Sequence, residues 1–96
     1  MTALEPDGTL ADLPRAFRWL PVEEAQYYVV KLFEVDRTEV WSGRTSELAL
    51  EIPRTVQELV VPGKTLLWQV AAYDKSGNLL ARSDRLEFRR AVLREK

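Results

Sequence analysis

Apolar and polar residues alternate with a period of two over most of the chain, and prolines, glycines and aspartates separate the alternating runs. In residues 15–20, for example, Phe17 and Trp19 share one side of the chain and Arg18 lies on the other. This period is that of a β-strand, in which neighbouring side chains point to opposite faces of a sheet. Several such runs with turn residues between them indicate an all-β sandwich or barrel, not alternating strands and helices.

The pattern predicts about seven short strands. The strongest signal is residues 27–35, which are rich in aromatic and β-branched side chains and do not follow helical spacing. A turn at Asp36 and a short partner strand at Val40 and Trp41 follow it. Residues 55–59 are compatible with one helical turn, which is too short to be stable alone. The remaining predicted strands are residues 9–13, 15–20, 47–52, 65–73 and 79–89, the last with a bulge near Ser83 and Asp84.

Strand parity separates an interior set of side chains from an exterior set. Trp19 and Trp68 fall on the inward side of their strands, and we predict that both pack in the core, since large aromatic residues dominate burial energetics. Trp41 is expected to be partly exposed because it lies on a short edge strand. The same alternation places Leu48 inward on the strand at residues 47–52.

The outward side of the central predicted sheet is unusually apolar. A sheet face in contact with water normally alternates to polar residues, and contiguous exposed apolar surface usually marks a contact site. Polar residues such as Lys31 and Gln69 interrupt this strip. Alternatively, the strip is scattered surface, or the C-terminal tail or residues 54–59 cover it. The predicted interaction face consists of Tyr27, Val29, Phe33, Leu67, Tyr73 and Arg85.

Composition limits the size of the domain and its partners. The chain has 96 residues, which fits one small domain, and 46% are hydrophobic and 30% charged, as in ordinary globular proteins. We expect an N-terminal extension at residues 1–7, the sandwich at residues 8–89 and a polar tail at residues 90–96. With 14 basic and 15 acidic side chains the formal net charge is -1, so no long-range field attracts nucleic acid. The late arginines, from Arg82 to Arg94, are interleaved with acidic residues and are interpreted as a solvated edge.

Residue types remove most catalytic chemistry. The chain contains no cysteine and no histidine, so it lacks a thiol nucleophile, the commonest general base and the ligands of most zinc sites. The one adjacent serine–lysine pair, Lys75 and Ser76, falls in a predicted hairpin loop, where nothing desolvates the lysine. Asp74 is expected to cap its own turn. We therefore predict no enzymatic activity, no cofactor and no bound metal.

Membrane insertion by this chain is not expected. No stretch approaches the roughly 20 apolar residues that a membrane-spanning helix needs. Residues 1–14 also lack the basic and apolar regions of a signal peptide. The absence of cysteine does not fix the compartment, since cytosolic, periplasmic and bacterial surface domains all occur without it.

Three groups of residues resemble landmarks of fibronectin type III domains. Trp19 followed by Pro21 is similar to the family's passage from strand B to strand C, and residues 60–65 are similar to the start of its strand F. Residues 74–78 resemble its F–G hairpin. The resemblance covers residues 8–89 and implies a seven-stranded antiparallel, immunoglobulin-like β-sandwich. One position departs from the family, which usually has a tyrosine where this chain has Leu66.

A narrower resemblance is to domains of bacterial membrane-anchored anti-sigma factors and envelope proteins. It rests on the order and spacing of four segments, namely residues 17–22, Val40 and Trp41, residues 68–74, and Gly77. This resemblance implies an extracytoplasmic location if the chain is a domain of such a protein. It also implies a non-catalytic protein-interaction or spacer module, which binds a protein partner or itself through the outer face of the C-F-G sheet. The alternative is a carbohydrate-binding module that stacks sugar rings on exposed aromatic residues, namely Tyr27, Phe33 and Tyr73.

Overall fold

A computed structural model describes residues 1–92 as two β-sheets packed face to face. The small sheet has the strand order β1-β3-β6, and the large sheet has the order β2-β9-β7-β4-β5, with β8 also paired to β7. The all-β prediction is confirmed. The elements are β1 (Ala3–Glu5), β2 (Gly8–Leu10), β3 (Ala16–Trp19), β4 (Tyr27–Glu34), β5 (Glu39–Thr45), β6 (Ala49–Glu51), α1 (Arg54–Gln57), β7 (Thr65–Tyr73), β8 (Leu79–Arg82) and β9 (Leu86–Arg90).

The two longest strands, β4 and β7, form the centre of the large sheet. They pair antiparallel over eight positions, from Tyr27 opposite Tyr73 to Glu34 opposite Leu66. Buried and half-buried residues alternate strictly along β7, as its period of two predicts. This register decides which side chains share the outer face of the sheet.

The core lies between the sheets and is built around aromatic contacts. The rings of Phe17 and Trp68 lie 4.9 Å apart, and Trp19 packs on Tyr28 at 5.4 Å. Both tryptophans are at most 2% exposed, so the prediction that they pack in the core is confirmed. Trp41 is half-buried and stacks on Phe17 at 5.8 Å.

Gly43 lets the side chain of Trp41 reach the core. A Cβ at position 43 would lie 2.6 Å from the Trp41 ring and 2.8 Å from Leu50 Cδ2, which is closer than real Cβ atoms approach their neighbours. The absence of a side chain at Gly43 therefore lets the ring fold over the strand. The prediction that Trp41 is partly exposed is confirmed, but its strand β5 is much longer than the two residues predicted.

Nine strands are described in residues 1–92, where the sequence predicted about seven. The expected N-terminal extension contains β1, which pairs with β3, and a 2.7 Å hydrogen bond from Trp68 Nε1 to the Pro6 carbonyl ties this segment to the core. The predicted strand at residues 79–89 is interrupted at residues 83–85 and forms β8 and β9. The purely antiparallel prediction was also wrong, since β2 and β9 run parallel.

Ser83 explains the interruption between β8 and β9. Its side chain is buried, and its hydroxyl accepts a 3.0 Å hydrogen bond from the Val70 N–H and donates one of 2.9 Å to the Asp84 carbonyl. A backbone bond from Ser83 N–H to the Val70 carbonyl holds the same position. In place of the bulge predicted near Ser83 and Asp84, the chain has a break between two strands, and these hydrogen bonds hold it in place.

The chain on either side of β6 differs from the prediction at one side chain, before the strand, and agrees with it at the helical turn that follows. Leu48 is 44% exposed, so the inward placement was wrong, because the strand begins only after it, at β6. Helix α1 overlaps the predicted helical turn and buries Val56 in the core. The predicted tail begins inside β9, and its last four residues, 93–96, lie outside the described part.

The corner before β7 is held by backbone bonds and packing. Leu66, at the position where the resembled family has a tyrosine, is fully buried in the core. The Gly63 N–H donates a 2.8 Å hydrogen bond to the Arg90 carbonyl, and the Lys64 N–H donates one of 3.1 Å to Val61. The corner thus does not need a phenol hydroxyl at this position.

Candidate interaction face on the large sheet

The outer face of the large sheet carries two tyrosines in direct register. Tyr27 begins β4 and lies opposite Tyr73, the last residue of β7. Their rings are stacked, with centroids 5.2 Å apart and planes 9° apart, and both residues are half-buried. Cross-strand pairs of aromatic residues stabilise a sheet and hold each other in a fixed rotamer. The sequence prediction that both tyrosines point outward fits this arrangement.

An arginine from the edge strand covers the first of these rings. Arg44 on β5 is paired in register with Val29 on β4, so its side chain emerges on the outer face. Its guanidinium carbon lies 3.8 Å from the centroid of the Tyr27 ring, a cation–π distance. Strands β5 and β7 flank β4 on opposite sides, so Tyr27 is enclosed between Arg44 and Tyr73. We call Tyr27, Tyr73 and Arg44 the aromatic end of the face.

The opposite end of the face is closed. Phe33 is only 8% exposed, although its parity points it outward. Arg85, in the segment between β8 and β9, places its guanidinium carbon 4.9 Å from the Phe33 ring centroid, and Leu67 lies opposite Phe33 in register. The expectation of an accessible strip along the whole face was therefore wrong at Phe33. We call Phe33, Leu67 and Arg85 the closed end.

Polar contacts separate the two ends. Lys31 forms an ion pair of 3.6 Å with Glu39, and the Gln69 amide donates a 2.8 Å hydrogen bond to the Ser83 carbonyl. Between this polar belt and the aromatic end lies a small depression of about 90 Å³. It is lined by Val29, Lys31, Gln69, Ala71, Tyr73, Leu79 and Arg82.

Positive charge is concentrated around the aromatic end. Arg44, Lys75 and Arg82 border it and are exposed, and none is within ion-pair distance of a carboxylate in residues 1–92. Arg44 and Lys75 also line a second, open depression beside Tyr27. These three cations were not predicted from the sequence as part of the face. For Arg44, the outward parity of β5 relative to Val29 carries the signal, but β5 was predicted too short to include it.

The hairpin loop beside the aromatic end is ordered by a carboxylate. Asp74 Oδ1 accepts 2.9 Å hydrogen bonds from the backbone N–H groups of Ser76 and Asn78. The prediction that Asp74 caps its own turn is confirmed. The hydrogen bond from the Asn78 N–H is the largest cause of a lowered pKa of the Asp74 carboxyl group. Lys75 and Ser76 are exposed in this loop, as expected.

The face offers few kinds of chemical group. Within the described residues, no group of three or more acidic side chains is close enough to hold a metal ion. No helix in residues 1–92 has both the length and the hydropathy of a membrane span. Carbohydrate stacking needs an open ring face, and on Tyr27 both sides are occupied. The remaining features are aromatic rings, guanidinium groups and a shallow apolar depression.

Comparisons of the chain with models of known protein families, with curated proteins and with solved structures find no match. Function must therefore be inferred from the geometry of this face and the fold that presents it. Two facts are central to that inference. The rings of the aromatic end are half-buried and lie beside cations that have no carboxylate partner in residues 1–92, whereas Phe33 at the closed end is only 8% exposed.

Proposed function

We propose that the domain is a non-catalytic module that binds a protein partner through the aromatic end of its large sheet. The observation that carries this proposal is the stack of Arg44, Tyr27 and Tyr73, with contacts of 3.8 Å and 5.2 Å. Tyrosine and arginine are the residue types that contribute most to binding energy at protein interfaces. Side chains that already hold each other in place lose less conformational entropy on binding.

The surroundings of the stack support a protein ligand. The depression next to Tyr73 is lined by apolar atoms of Val29 and Ala71, and Leu79 at its rim is 52% exposed. A half-buried apolar patch with charged groups at its rim has the usual anatomy of a protein–protein interface. Tyr27, Val29, Ala71 and Tyr73 lie on the paired strands β4 and β7, and sites built on strands hold their side chains more precisely than sites on loops.

We also propose that the sandwich is a fibronectin type III-like domain of the kind found in bacterial anti-sigma factors and envelope proteins. The support is the order of its strands, in which β1, β3 and β6 face a sheet centred on β7 and β4. In such a protein the domain is extracytoplasmic and its exposed face is free for a partner. The same architecture serves many functions, so the contact residues and not the fold carry the functional proposal.

A photo-crosslinking experiment tests the proposed face. Tyr73 is replaced by p-benzoylphenylalanine, which keeps the phenyl ring and carries the reactive group outward, and Leu4 on the small sheet is replaced in the same way as a control. Leu4 is 46% exposed, and Tyr73 is half-buried at the end of β7, so at both positions the added group is directed to solvent. We expect a discrete ultraviolet-dependent product only from position 73 in cells that make the protein naturally.

The mass of the product identifies the type of partner. A product of twice the chain mass indicates self-association through this face, and a different mass indicates another protein. Both results support the proposal. An absence of product at position 73, or the same products at positions 73 and 4, would overturn it. Circular dichroism of both variants checks that the sandwich is retained.

A further inference from the structure

Strand β5 is the open edge of the large sheet beside the aromatic end. It spans seven residues, Glu39–Thr45, and pairs only with β4. No backbone hydrogen bond joins β5 to any other strand in residues 1–92. In an antiparallel ladder, alternate residues of an edge strand direct their N–H and C=O groups away from the sheet. These groups can therefore bind another extended chain.

The other edge strands of the sandwich are protected because they are short. β1, β2 and β6 have three residues each and β8 has four, and very short edge strands offer little surface for pairing. Strand β5 is about twice as long and contains neither proline nor lysine, two common devices against edge pairing. It is thus the longest edge strand in the described part of the sandwich, and its ladder with β4 is regular from Trp41 to Thr45, after a register shift at Val40.

Charge indicates what kind of strand this edge accepts. Arg44 lies on β5 itself, and Lys75 borders the same depression beside Tyr27, with no carboxylate paired to either in residues 1–92. At the other end of β5, Glu39 is already paired with Lys31 at 3.6 Å. A strand added next to β5 places every second side chain on the outer face, so its residues beside Arg44 meet unpaired positive charge.

We propose that β5 accepts an extended acidic peptide segment of the partner by strand addition, with a carboxylate against Arg44. This inference rests on the proposed function and specifies its ligand. The backbone ladder requires a peptide, because an acidic polysaccharide has no N–H groups in the register of a β-strand. The cation–aromatic stack then holds this carboxylate at one end of the added strand.

The test uses a soluble peptide of alternating glutamate and valine, about as long as β5. Its binding is measured by titration of the ¹⁵N-labelled domain in NMR, together with amide hydrogen exchange. We expect slower exchange for alternate amides of residues 39–45 and an affinity that falls as ionic strength rises. The same peptide with lysine in place of glutamate, and one N-methylated at alternate residues, should not bind, since each lacks one of the two interactions.

Protein variants distinguish the contribution of the Arg44 charge from that of backbone pairing along β5. Arg44→Gln is expected to weaken binding of the acidic peptide about tenfold, the usual effect of losing one charge-assisted hydrogen bond. Arg89→Gln is the matched control, because Arg89 lies on the same sheet face next to β2 at the opposite edge and should leave the affinity unchanged. Equal effects of the two variants would overturn the assignment to Arg44.

Three further outcomes would overturn the inference. These are binding of the N-methylated peptide, binding of polygalacturonate in place of the peptide, and pairing of β5 with a second copy of this chain. If position 73 crosslinks to a partner and no peptide binds, the strand-addition inference fails and the interaction module remains. If the peptide protects β5 and position 73 gives no crosslink, the proposed face fails and the edge site remains.

Discussion

The outer face of the large sheet has two ends, and each carries an aromatic side chain with an arginine above it. At the aromatic end Arg44 lies 3.8 Å from the half-buried ring of Tyr27, and at the closed end Arg85 lies 4.9 Å from the ring of Phe33. Phe33 is nevertheless only 8% exposed. An outward aromatic residue is therefore a contact candidate only when the surrounding long side chains leave part of it accessible.

The largest difference between the two ends should appear in stability. We expect Phe33→Ala to lower the free energy of unfolding by about 3 kcal/mol, because it removes a buried ring and leaves a cavity under Arg85. Tyr27→Ala should cost only about 1 kcal/mol, since it removes a half-buried ring and one stacking contact. Urea unfolding followed by tryptophan fluorescence measures both values.

Partner binding should rank the two variants in the opposite order to stability. Tyr27→Ala is expected to weaken partner binding while the domain stays folded, whereas Phe33→Ala, at a temperature where it is folded, should bind normally. The unchanged slope of the unfolding transition serves as the control that both variants keep a comparable native state. Equal losses of stability in the two variants would contradict the distinction between an open and a closed end.

The positions of the core residues follow from sequence, but several of their polar contacts do not. Parity places both Trp19 and Trp68 inside, and both are buried. It does not reveal that Trp68 Nε1 donates to the Pro6 carbonyl at 2.7 Å, or that Trp19 Nε1 is buried without a hydrogen-bond partner in the described residues. The first contact joins residues 62 positions apart, and such a distance is invisible to local periodicity.

The candidate face was predicted only in part for a related reason. Alternation correctly grouped Tyr27 with Tyr73, because a β-strand fixes the direction of each side chain. Burial of Phe33 depends on Arg85, and that arginine comes from the break between β8 and β9. Long flexible side chains from irregular segments have no period, so sequence alone cannot assign what they cover.

The two arginine contacts should also differ in strength, by a smaller amount than the ring truncations. In a double-mutant cycle we expect about 0.5–1 kcal/mol of coupling between Arg44 and Tyr27, and less between Arg85 and Phe33. The reasons are the distances of 3.8 Å and 4.9 Å and the weaker attraction of a cation to phenylalanine than to tyrosine. The cycles use Arg→Gln and aromatic→Leu replacements, measured by urea unfolding.

Leucine retains much of the apolar volume of each ring, so the cycle isolates the cation–π contribution from simple burial. The order of the two couplings is then opposite to the order of the two ring truncations. A stronger coupling at the closed end would mean that Arg85 acts as more than a cover for Phe33. No coupling at Tyr27 would remove the main reason for regarding the aromatic end as preorganised.

The smallest expected effect concerns the turns that adjoin the two ends. Asp74 lies in the loop beside the aromatic end, and Asp36 lies in the turn between β4 and β5 beside the closed end. Hydrogen bonds from Asn78 N–H to Asp74, and from Thr38 N–H to Asp36, lower the pKa of each carboxyl group from its ordinary value of 3.8. Each group therefore binds its proton less readily in the folded state than in the unfolded state.

A lowered pKa in the folded state stabilises the protein at every pH above the unfolded value, and this stabilisation disappears as the pH falls through the folded value. We expect Asp74→Ala and Asp36→Ala each to lower the stability slightly at neutral pH. Their difference from the wild type should shrink below about pH 4 and vanish at still lower pH. Urea unfolding at several pH values measures this, and carboxyl ¹³C titration by NMR gives each pKa directly.

Only one of the two turns should also affect binding. A Cβ built at Gly77 in the Asp74 loop would lie 3.6 Å from the Tyr27 hydroxyl oxygen, so a loosened loop changes the surroundings of the aromatic end. Asp74→Ala should therefore weaken binding of the acidic peptide modestly, and Asp36→Ala should leave it unchanged. A loss of binding in Asp36→Ala equal to that in Asp74→Ala would mean that the bound peptide depends as much on the turn before β5 as on the loop beside the aromatic end, which would contradict the assignment of the charge contact to Arg44.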